Sequence, residues 1–123
     1  MANPNIVNVT TIYGNTSTVA LSTTSATSLV SNAAASGKVF KIDSIVVANT
    51  SASAANITIN VYSAAALGGT AYPIASTISV PAYASLIVTD KTTAFYLLED
   101  KSVGATAGIS NVLVVTTSWE EIS

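Results

Sequence analysis

The stretch NITINVYS, residues 56–63, decides the fold, because apolar and polar residues alternate along it with a period of two. The apolar phase holds Ile57, Ile59 and Val61, and the polar phase holds Thr58, Asn60 and Tyr62. Successive side chains of a β-strand point to opposite faces of its sheet. The alternation therefore predicts a strand with one buried face, and it places Tyr62 on the exposed face.

Similar β-type segments surround this strand in both directions, recurring about every ten residues as in a sandwich or barrel. Gly, Pro, Asn, Asp or Ser lie near their ends, as at strand boundaries. The alanine clusters NAAASG and SAAALGG stop at glycines after about one turn and predict loops. We therefore predict an all-β, single-domain antiparallel β-sandwich of about eight strands. A jelly-roll-like topology is expected, with an immunoglobulin-like sandwich as the alternative.

The same periodicity predicts the core and the points where strands are interrupted. In the run KVFKIDSIVVANTS the apolar phase changes between Ile42 and Ile45. Either a bulge near Asp43 and Ser44 or a central strand that is apolar on both faces would explain this change. Pro81 has no backbone N–H, so it should end the strand before it or lie at a sheet edge. The predicted core consists of Ile57, Ile59, Val61, Ile78, Val80, Leu86, Val88, Leu113 and Val115.

Residues 1–10 are predicted to form a flexible N-terminal arm, and residues 11–123 the β-sandwich domain. The arm carries only Ile6, Val7 and Val9 as apolar anchors, which are too few to hold it against the domain. We expect the arm to become ordered by adding strand-like hydrogen bonds to a neighbouring chain.

Charged residues are scarce, with 4 lysines, no arginine and 6 acidic residues making up 8% of the chain. An ordinary soluble domain has about 25%. A surface of hydroxyls, amides and methyl groups is suited to burial against another protein. Nucleic acid is not expected as a partner, because phosphate binding needs clustered cations. A membrane is not expected either, because no apolar stretch approaches the ~20 residues of a span.

The sequence lacks the residues that most catalytic mechanisms need. It has no histidine, cysteine or arginine, so it lacks the commonest general base, thiol nucleophile and anion clamp. The neighbouring acids Glu99 and Asp100, like Glu120 and Glu121, would point to opposite faces of a strand and not converge on one atom. The interleaved acids of a calcium loop are missing. We predict no enzymatic activity, no metal site and no cofactor.

Exposed aromatic rings are the sequence feature that favours a ligand-binding role. Sandwiches that bind sugars display flat rings on an exposed face. The candidate rings are Tyr13, Tyr62, Tyr72, Tyr83, Tyr96 and Trp119. Tyr62 is the best candidate for exposure, and truncation of Tyr62 or Tyr83 would test sugar binding. The alternative is that the rings pack at rims and subunit contacts with their hydroxyls towards water.

Three stretches carry a resemblance to a known family. They are SGKVFKIDSIVVAN at 36–49, STISVPAYASLIVTDKTTAFYLLEDKSVGATAG at 76–108, and the closing SWEEIS at 118–123. Over most of residues 12–123 the chain resembles small virion structural proteins of tailed phages, especially phages of marine bacteria and cyanobacteria. It has the family's valine-proline step and Trp/Tyr-Glu-Glu-Ile ending, and YLLED where the family usually has Tyr-Leu-x-Glu-Gly-Asp.

The resemblance implies a non-enzymatic building block of the virion. The expected role is a capsid decoration (cement) protein, which bridges and stabilises major capsid protein subunits on the outer surface of the capsid. A neck, tail or fibre-associated protein is the alternative, and a carbohydrate or host-surface binding module remains open. We expect a homotrimer or another symmetric homo-oligomer.

The arm and the closing segment are the predicted contact sites of this assembly. The residues concerned are Ile6, Val7, Val9, Trp119, Glu120, Glu121 and Ile122. The two glutamates would sit at one end of the last strand, where they would meet a lysine or backbone amides of a partner or protect a strand edge from pairing. A solvated chain end without a partner is the alternative.

Overall fold

The computed structural model describes residues 5–123, and most of these residues lie in strands. The strands are β1 (Ile12–Ala20), β2 (Thr27–Asn32), β3 (Val39–Asn49), β4 (Ala55–Ala64), β5 (Gly68–Val80), β6 (Ser85–Thr89), β7 (Phe95–Leu97), β8 (Lys101–Ala107) and β9 (Leu113–Ile122). No helix occurs in residues 5–123, and turns lie in both alanine clusters, as predicted.

The strands form two antiparallel sheets that pack against each other. Sheet I has the order β1-β9-β3-β6, with β7 also paired to β3, and sheet II has the order β2-β8-β4-β5. The pairs are nested, because β1 pairs with β9, β2 with β8, β3 with β6, and β4 with β5. This is the order of a jelly roll, whereas the first two strands of an immunoglobulin sandwich are neighbours. The structure confirms the predicted all-β sandwich and its jelly-roll topology.

Strand β3 contains the predicted bulge. Its register against β9 shifts between Ile42 and Ser44, and the buried phase changes there from Ile42 to Ile45. On the other side of β3, β7 pairs with residues 40–42 and β6 with residues 45–48. Together β6 and β7 therefore form one edge of sheet I, interrupted by residues 90–94.

The core between the sheets contains most of the predicted residues. Those buried are Ile57, Ile59, Val80, Leu113 and Val115, while Val61, Leu86 and Val88 are partly buried and pack against them. The prediction for Ile78 is wrong, because its side chain is 40% exposed. Strand β5 is the outer strand of sheet II and its register against β4 shifts three times, so Ile78 has a neighbouring strand on one side only. Strand β5 ends directly before Pro81, as predicted.

Two buried asparagines connect the sheets, one at each end of the sandwich. Asn32 is the last residue of β2 in sheet II, and its Nδ2 donates to the carbonyl oxygen of Leu97 in sheet I at 3.1 Å. Asn49 is the last residue of β3 in sheet I, and its Nδ2 donates to the carbonyl oxygen of Val80 in sheet II at 3.0 Å. These hydrogen bonds satisfy the buried amides and cross-link the two layers.

The turn between β4 and β5 folds back over the outward face of sheet II. The backbone N–H groups of Ala66 and Leu67 donate to the hydroxyls of Ser31 and Ser102, each at 2.9 Å. The Ser102 hydroxyl in turn donates to the carbonyl oxygen of Ala64 at 2.8 Å. Ala66 and Leu67 have φ angles of 56° and 61°, a left-handed conformation that is unfavourable for such residues. The hydrogen bonds to sheet II hold the turn in this conformation.

Leu67 of this turn covers the outward face of sheet II at Gly104 and Tyr62. A Cβ atom added to Gly104 would lie 2.6 Å from Leu67 Cδ2, 3.1 Å from Tyr62 Cε2 and 3.2 Å from the carbonyl oxygen of Thr27. Tyr62 is only 8% exposed, so its predicted exposure is wrong. The predicted alternation along the strand is confirmed, but the chain itself covers the face on which Tyr62 lies.

Candidate functional site

The predicted contact residues lie at the end of the sandwich where β1 begins and β9 ends, which we call the terminal end. Strands β1 and β9 pair over their whole length, from Ile12 opposite Ile122 to Ala20 opposite Val114. The N–H groups of Thr10 and Thr11 donate to the carbonyl oxygen of Ser123 at 2.7 and 2.9 Å, and the N–H of Ser123 donates to Thr11 at 3.0 Å. The arm and the closing segment are therefore neighbours within one chain.

The described part of the arm presents apolar side chains to solvent. Val7 is 91% exposed, Ile6 is about half exposed, and Val9 is partly buried. A turn holds this segment, because the N–H of Val7 donates to Asn5 Oδ1 at 3.0 Å and the N–H of Asn8 donates to the Asn5 carbonyl at 3.1 Å. Residues 1–4 of the predicted arm lie outside the described residues. Pairing of the arm with a neighbouring chain stays a prediction.

The glutamates of the closing segment meet lysines of their own chain. Glu121 Oε1 forms an ion pair with Lys38 Nζ, and Glu120 Oε2 lies 4.0 Å from Lys41 Nζ. Both lysines belong to the chain around the start of β3, which pairs with the end of β9. The suggested protection of a strand edge is wrong, because β9 has β1 on one side and β3 on the other. Contact of the chain end with a partner subunit stays a prediction.

The other two residues of the closing segment contribute to packing within the chain. Ile122 is buried and lies between Ile12 and Val39 in the register of sheet I. Trp119 is partly buried against the core, and its Nε1 is buried without a hydrogen-bond partner. Contact of these two side chains with another protein stays a prediction, and Ile122 has little free surface for it.

None of the ten charged residues lies at the end of the sandwich opposite the terminal end. The loops at that end are residues 21–26, 50–54, 81–84 and 108–112, and they contain only uncharged residues. Tyr83 in one of them is 73% exposed and has a φ of 55°. Of the candidate tyrosines for sugar binding, Tyr62 is buried, whereas Tyr13, Tyr72, Tyr83 and Tyr96 face solvent, and Tyr83 is the most exposed.

Two of the four acidic residues outside the terminal ion pairs, Asp100 and Asp90, make structural contacts within the chain. Asp100 Oδ1 accepts a hydrogen bond from the N–H of Ala65 at 3.1 Å, which helps to hold the turn over sheet II. The hydroxyl and the N–H of Thr92 donate to Asp90 Oδ1 at 2.6 and 2.9 Å, and these bonds hold the pKa of the Asp90 carboxyl below its ordinary value. Among residues 5–123, no three His, Cys, Asp or Glu side chains are grouped closely enough to hold a metal ion.

The YLLED segment has a left-handed backbone conformation at its last residue. Asp100 has a φ of 55°. Glycine adopts this left-handed conformation at no steric cost, and aspartate is among the residues that tolerate it. Asp100 therefore makes this turn without a glycine.

The part of the chain that the structure describes contains no helix that could cross a membrane. A scan against protein-family models finds no match for the chain, and a search of curated proteins finds none either.

Proposed function

We propose that this protein is a non-enzymatic structural component of a tailed-phage virion, acting as a decoration protein on the outer surface of the capsid. It bridges neighbouring subunits of the major capsid protein and stabilises the shell as a symmetric oligomer. Such a role requires a stable β-body, a surface that can be covered, and an accessible segment that reaches a neighbour, and it requires no catalytic group.

The observation that supports this proposal most strongly is the exposed apolar segment at the terminal end. The exposed apolar residues Ile6 and Val7 lie there, next to the carboxyl terminus. The segment that would reach a partner is thus attached to the rigid body at Thr10 and Thr11, so it can be ordered by a neighbour without unfolding the sandwich. Its apolar side chains supply the contact, because only 4 lysines and 6 acidic residues are available for ion pairs.

Salt dependence follows from this composition. Screening weakens exposed charges but not buried methyl groups. Attachment through apolar area and backbone hydrogen bonds should therefore persist in about 1 M salt, where the Debye length is about 3 Å. Each copy that engages two or more shell subunits also gains avidity, provided that its geometry allows simultaneous contact.

Deletion of residues 1–8 tests this proposal. The deletion leaves Thr10, Thr11 and all nine strands in place, so the β-body should fold and melt as before, while attachment to phage heads weakens. Val7→Asp should weaken attachment in the full chain, and Ile109→Asp, at an exposed apolar residue of the opposite end, is its control. Heads stripped of the protein should break at lower temperature or milder osmotic shock. Unchanged attachment after the deletion, or stripped heads as robust as decorated ones, would reject the cement role.

Location in the particle separates the proposed role from its closest alternative. Electron microscopy of intact particles should place the protein on the outer surface of the head. A position at the neck, tail or fibre would replace the decoration role by the second structural role.

A carbohydrate or host-surface binding module is the second candidate function, because Tyr83 presents its ring to solvent in an uncharged loop region. A glycan array probed with the protein and with Tyr83→Ala tests it. Retention of a glycan that is lost in the variant would favour this function over the structural one.

A further inference from the structure

The outward face of sheet I breaks the rule that the solvent side of an antiparallel sheet is polar. Residues 45–47 of β3, 86–88 of β6 and 113–115 of β9 are apolar without interruption. One phase of each run faces the core, so the other phase, Val46, Ile87 and Val114, faces outward. Continuous apolar runs are typical of strands that are covered on both faces.

The register of sheet I brings these outward residues together. One row across the sheet contains Thr18, Thr116, Val46 and Ile87, and the next contains Ala20, Val114, Ala48 and Ser85. Ile87 is 62% exposed. We call the outward side of residues 16–20, 44–48, 85–87 and 114–118 the open face. It is uncharged itself, Asp43 directly precedes Ser44 at its border, and the Lys41–Glu120 pair lies beyond it towards the terminal end.

Sheet II shows that this pattern is not a consequence of the chain's composition. Outward positions of its two central strands are polar, with Thr58 and Asn60 in β4 and Thr106 in β8. The large apolar side chain on the outward side of these central strands, Tyr62, is covered by Leu67 of the chain's own turn. The chain thus covers the large apolar side chain on the central strands of sheet II, whereas Ile87 on the outward face of sheet I is 62% exposed.

We propose that the open face packs against the open face of a second copy, giving a two-fold symmetric dimer. An uncharged surface is complementary to another uncharged surface, because no ion loses its hydration without a partner. The open face itself is such a surface, and a two-fold axis brings identical patches together. Its side chains are mostly small, which allows two sheets to approach to the usual ~10 Å.

The area of the open face sets the strength of this contact. Three rows of outward residues on four strands cover about 20 by 19 Å, or about 400 Å² on each copy. A standard interface buries about 800 Å² on each partner. The dimer is therefore a weak one, formed at high concentration in solution and favoured where copies are held close together on a particle.

The dimer deepens the symmetric assembly of the proposed function, but it is measured on the isolated protein. Failure of attachment to phage heads and failure of dimerisation can therefore be told apart. Analytical ultracentrifugation from about 10 to 500 µM covers the range in which interfaces of modest size associate. The sedimentation coefficient of the native chain should rise with concentration to the value of a dimer.

Thr116→Lys is the variant that tests the face, and Thr106→Lys is its matched control. Both threonines are partly buried, lie on strands with a neighbour on each side and point outward, one from sheet I and the other from sheet II. Lysines at position 116 would face each other across the two-fold axis, so association should weaken at least about tenfold. The Thr106→Lys variant should dimerise like the native chain.

A second pair keeps the test valid if a central-strand lysine impairs folding. Ile87→Lys and Ile74→Lys each replace an exposed isoleucine on an edge strand, the first in sheet I and the second in sheet II. Loss of the dimer in Ile87→Lys alone supports the proposal. A chain that is monomeric at all concentrations, a trimer, or a dimer that survives both sheet I substitutions would overturn it. A further outcome is a native chain that stays monomeric and a Thr116→Lys variant that fails to bind phage heads. This result would mean that the open face contacts a shell protein, and it would overturn the dimer as well.

Discussion

The outward faces of the two sheets differ in what covers them. On sheet II, the turn between β4 and β5 lies over Gly104 and Tyr62 and is held by the hydroxyls of Ser31 and Ser102. On sheet I, the open face of β1, β9, β3 and β6 carries apolar and hydroxyl side chains, and Ile87 on this face is 62% exposed. A side chain on sheet II therefore contributes to folding, whereas its counterpart on sheet I is available for assembly.

The largest expected effect that follows from this difference is on the two outward-facing glycines. Gly104→Val should lower the free energy of unfolding by about 2–3 kcal/mol, because the added atoms overpack the covered site. Leu67 can move aside, but the backbone oxygen of Thr27, 3.2 Å from the added Cβ, cannot move as easily.

Gly14→Val is the matched control on sheet I. No atom lies within 4 Å of a Cβ added to Gly14, so the change should stay within about 0.5 kcal/mol of the native stability. Urea unfolding of both variants measures the difference. Equal losses would mean that the outward faces are equally covered, and the comparison would fail.

A smaller effect is expected for the serine hydroxyls of the two faces. Ser102→Ala removes the acceptor of the Leu67 N–H and the donor to Ala64, so it should cost about 1–3 kcal/mol. Ser118→Ala removes one exposed contact of 3.2 Å to the Thr16 hydroxyl and should cost less than about 0.5 kcal/mol. Thermal unfolding followed by circular dichroism separates the two. A Ser118 loss as large as that of Ser102 would show that the sheet I hydroxyl has a structural role.

The strands were predictable because their signals are local. The alternation around Ile57, the phase change at Ile42 and the stop at Pro81 each act within a few residues, and each was confirmed. The regular spacing of the strands also predicts a sandwich, but it does not distinguish the jelly-roll order from the immunoglobulin alternative.

The coverage of the faces was not predictable in the same way. Tyr62 is buried because Leu67, five residues later, returns over it, and that return depends on hydroxyls from two other strands. The partners of Glu120 and Glu121 are lysines about 80 residues earlier, which only the pairing of β9 with β3 brings near. The open face did leave a signal in the sequence, since the runs 45–47, 86–88 and 113–115 are apolar in both phases. A strand that is apolar on both faces was one of the two interpretations of the run around Val46.

The smallest expected effects concern the ion pairs beside the open face. Both pairs are partly exposed, so solvent screens them and each contributes about 0–1 kcal/mol. Glu121→Gln should lose slightly more stability than Glu120→Gln, because its pair is the closer and more shielded of the two. About 1 M salt should remove the difference. A loss of several kcal/mol in either variant would show that the terminal end is held by charge.

Spin labels on the two outward faces test most directly that sheet I, and not sheet II, is the face that meets a second copy. The chain has no cysteine, so Thr18→Cys on β1 and Ser28→Cys on β2 each provide a single attachment site, exposed and at a sheet edge. In the proposed dimer one sheet spacing of ~10 Å separates the labels normal to the sheets at Thr18, and three spacings, ~30 Å, separate them at Ser28. Dipolar spectroscopy at a dimer-forming concentration should therefore find the Thr18 pair closer than the Ser28 pair by more than about 10 Å. A shorter distance at Ser28, or no intermolecular coupling at Thr18, would contradict the account.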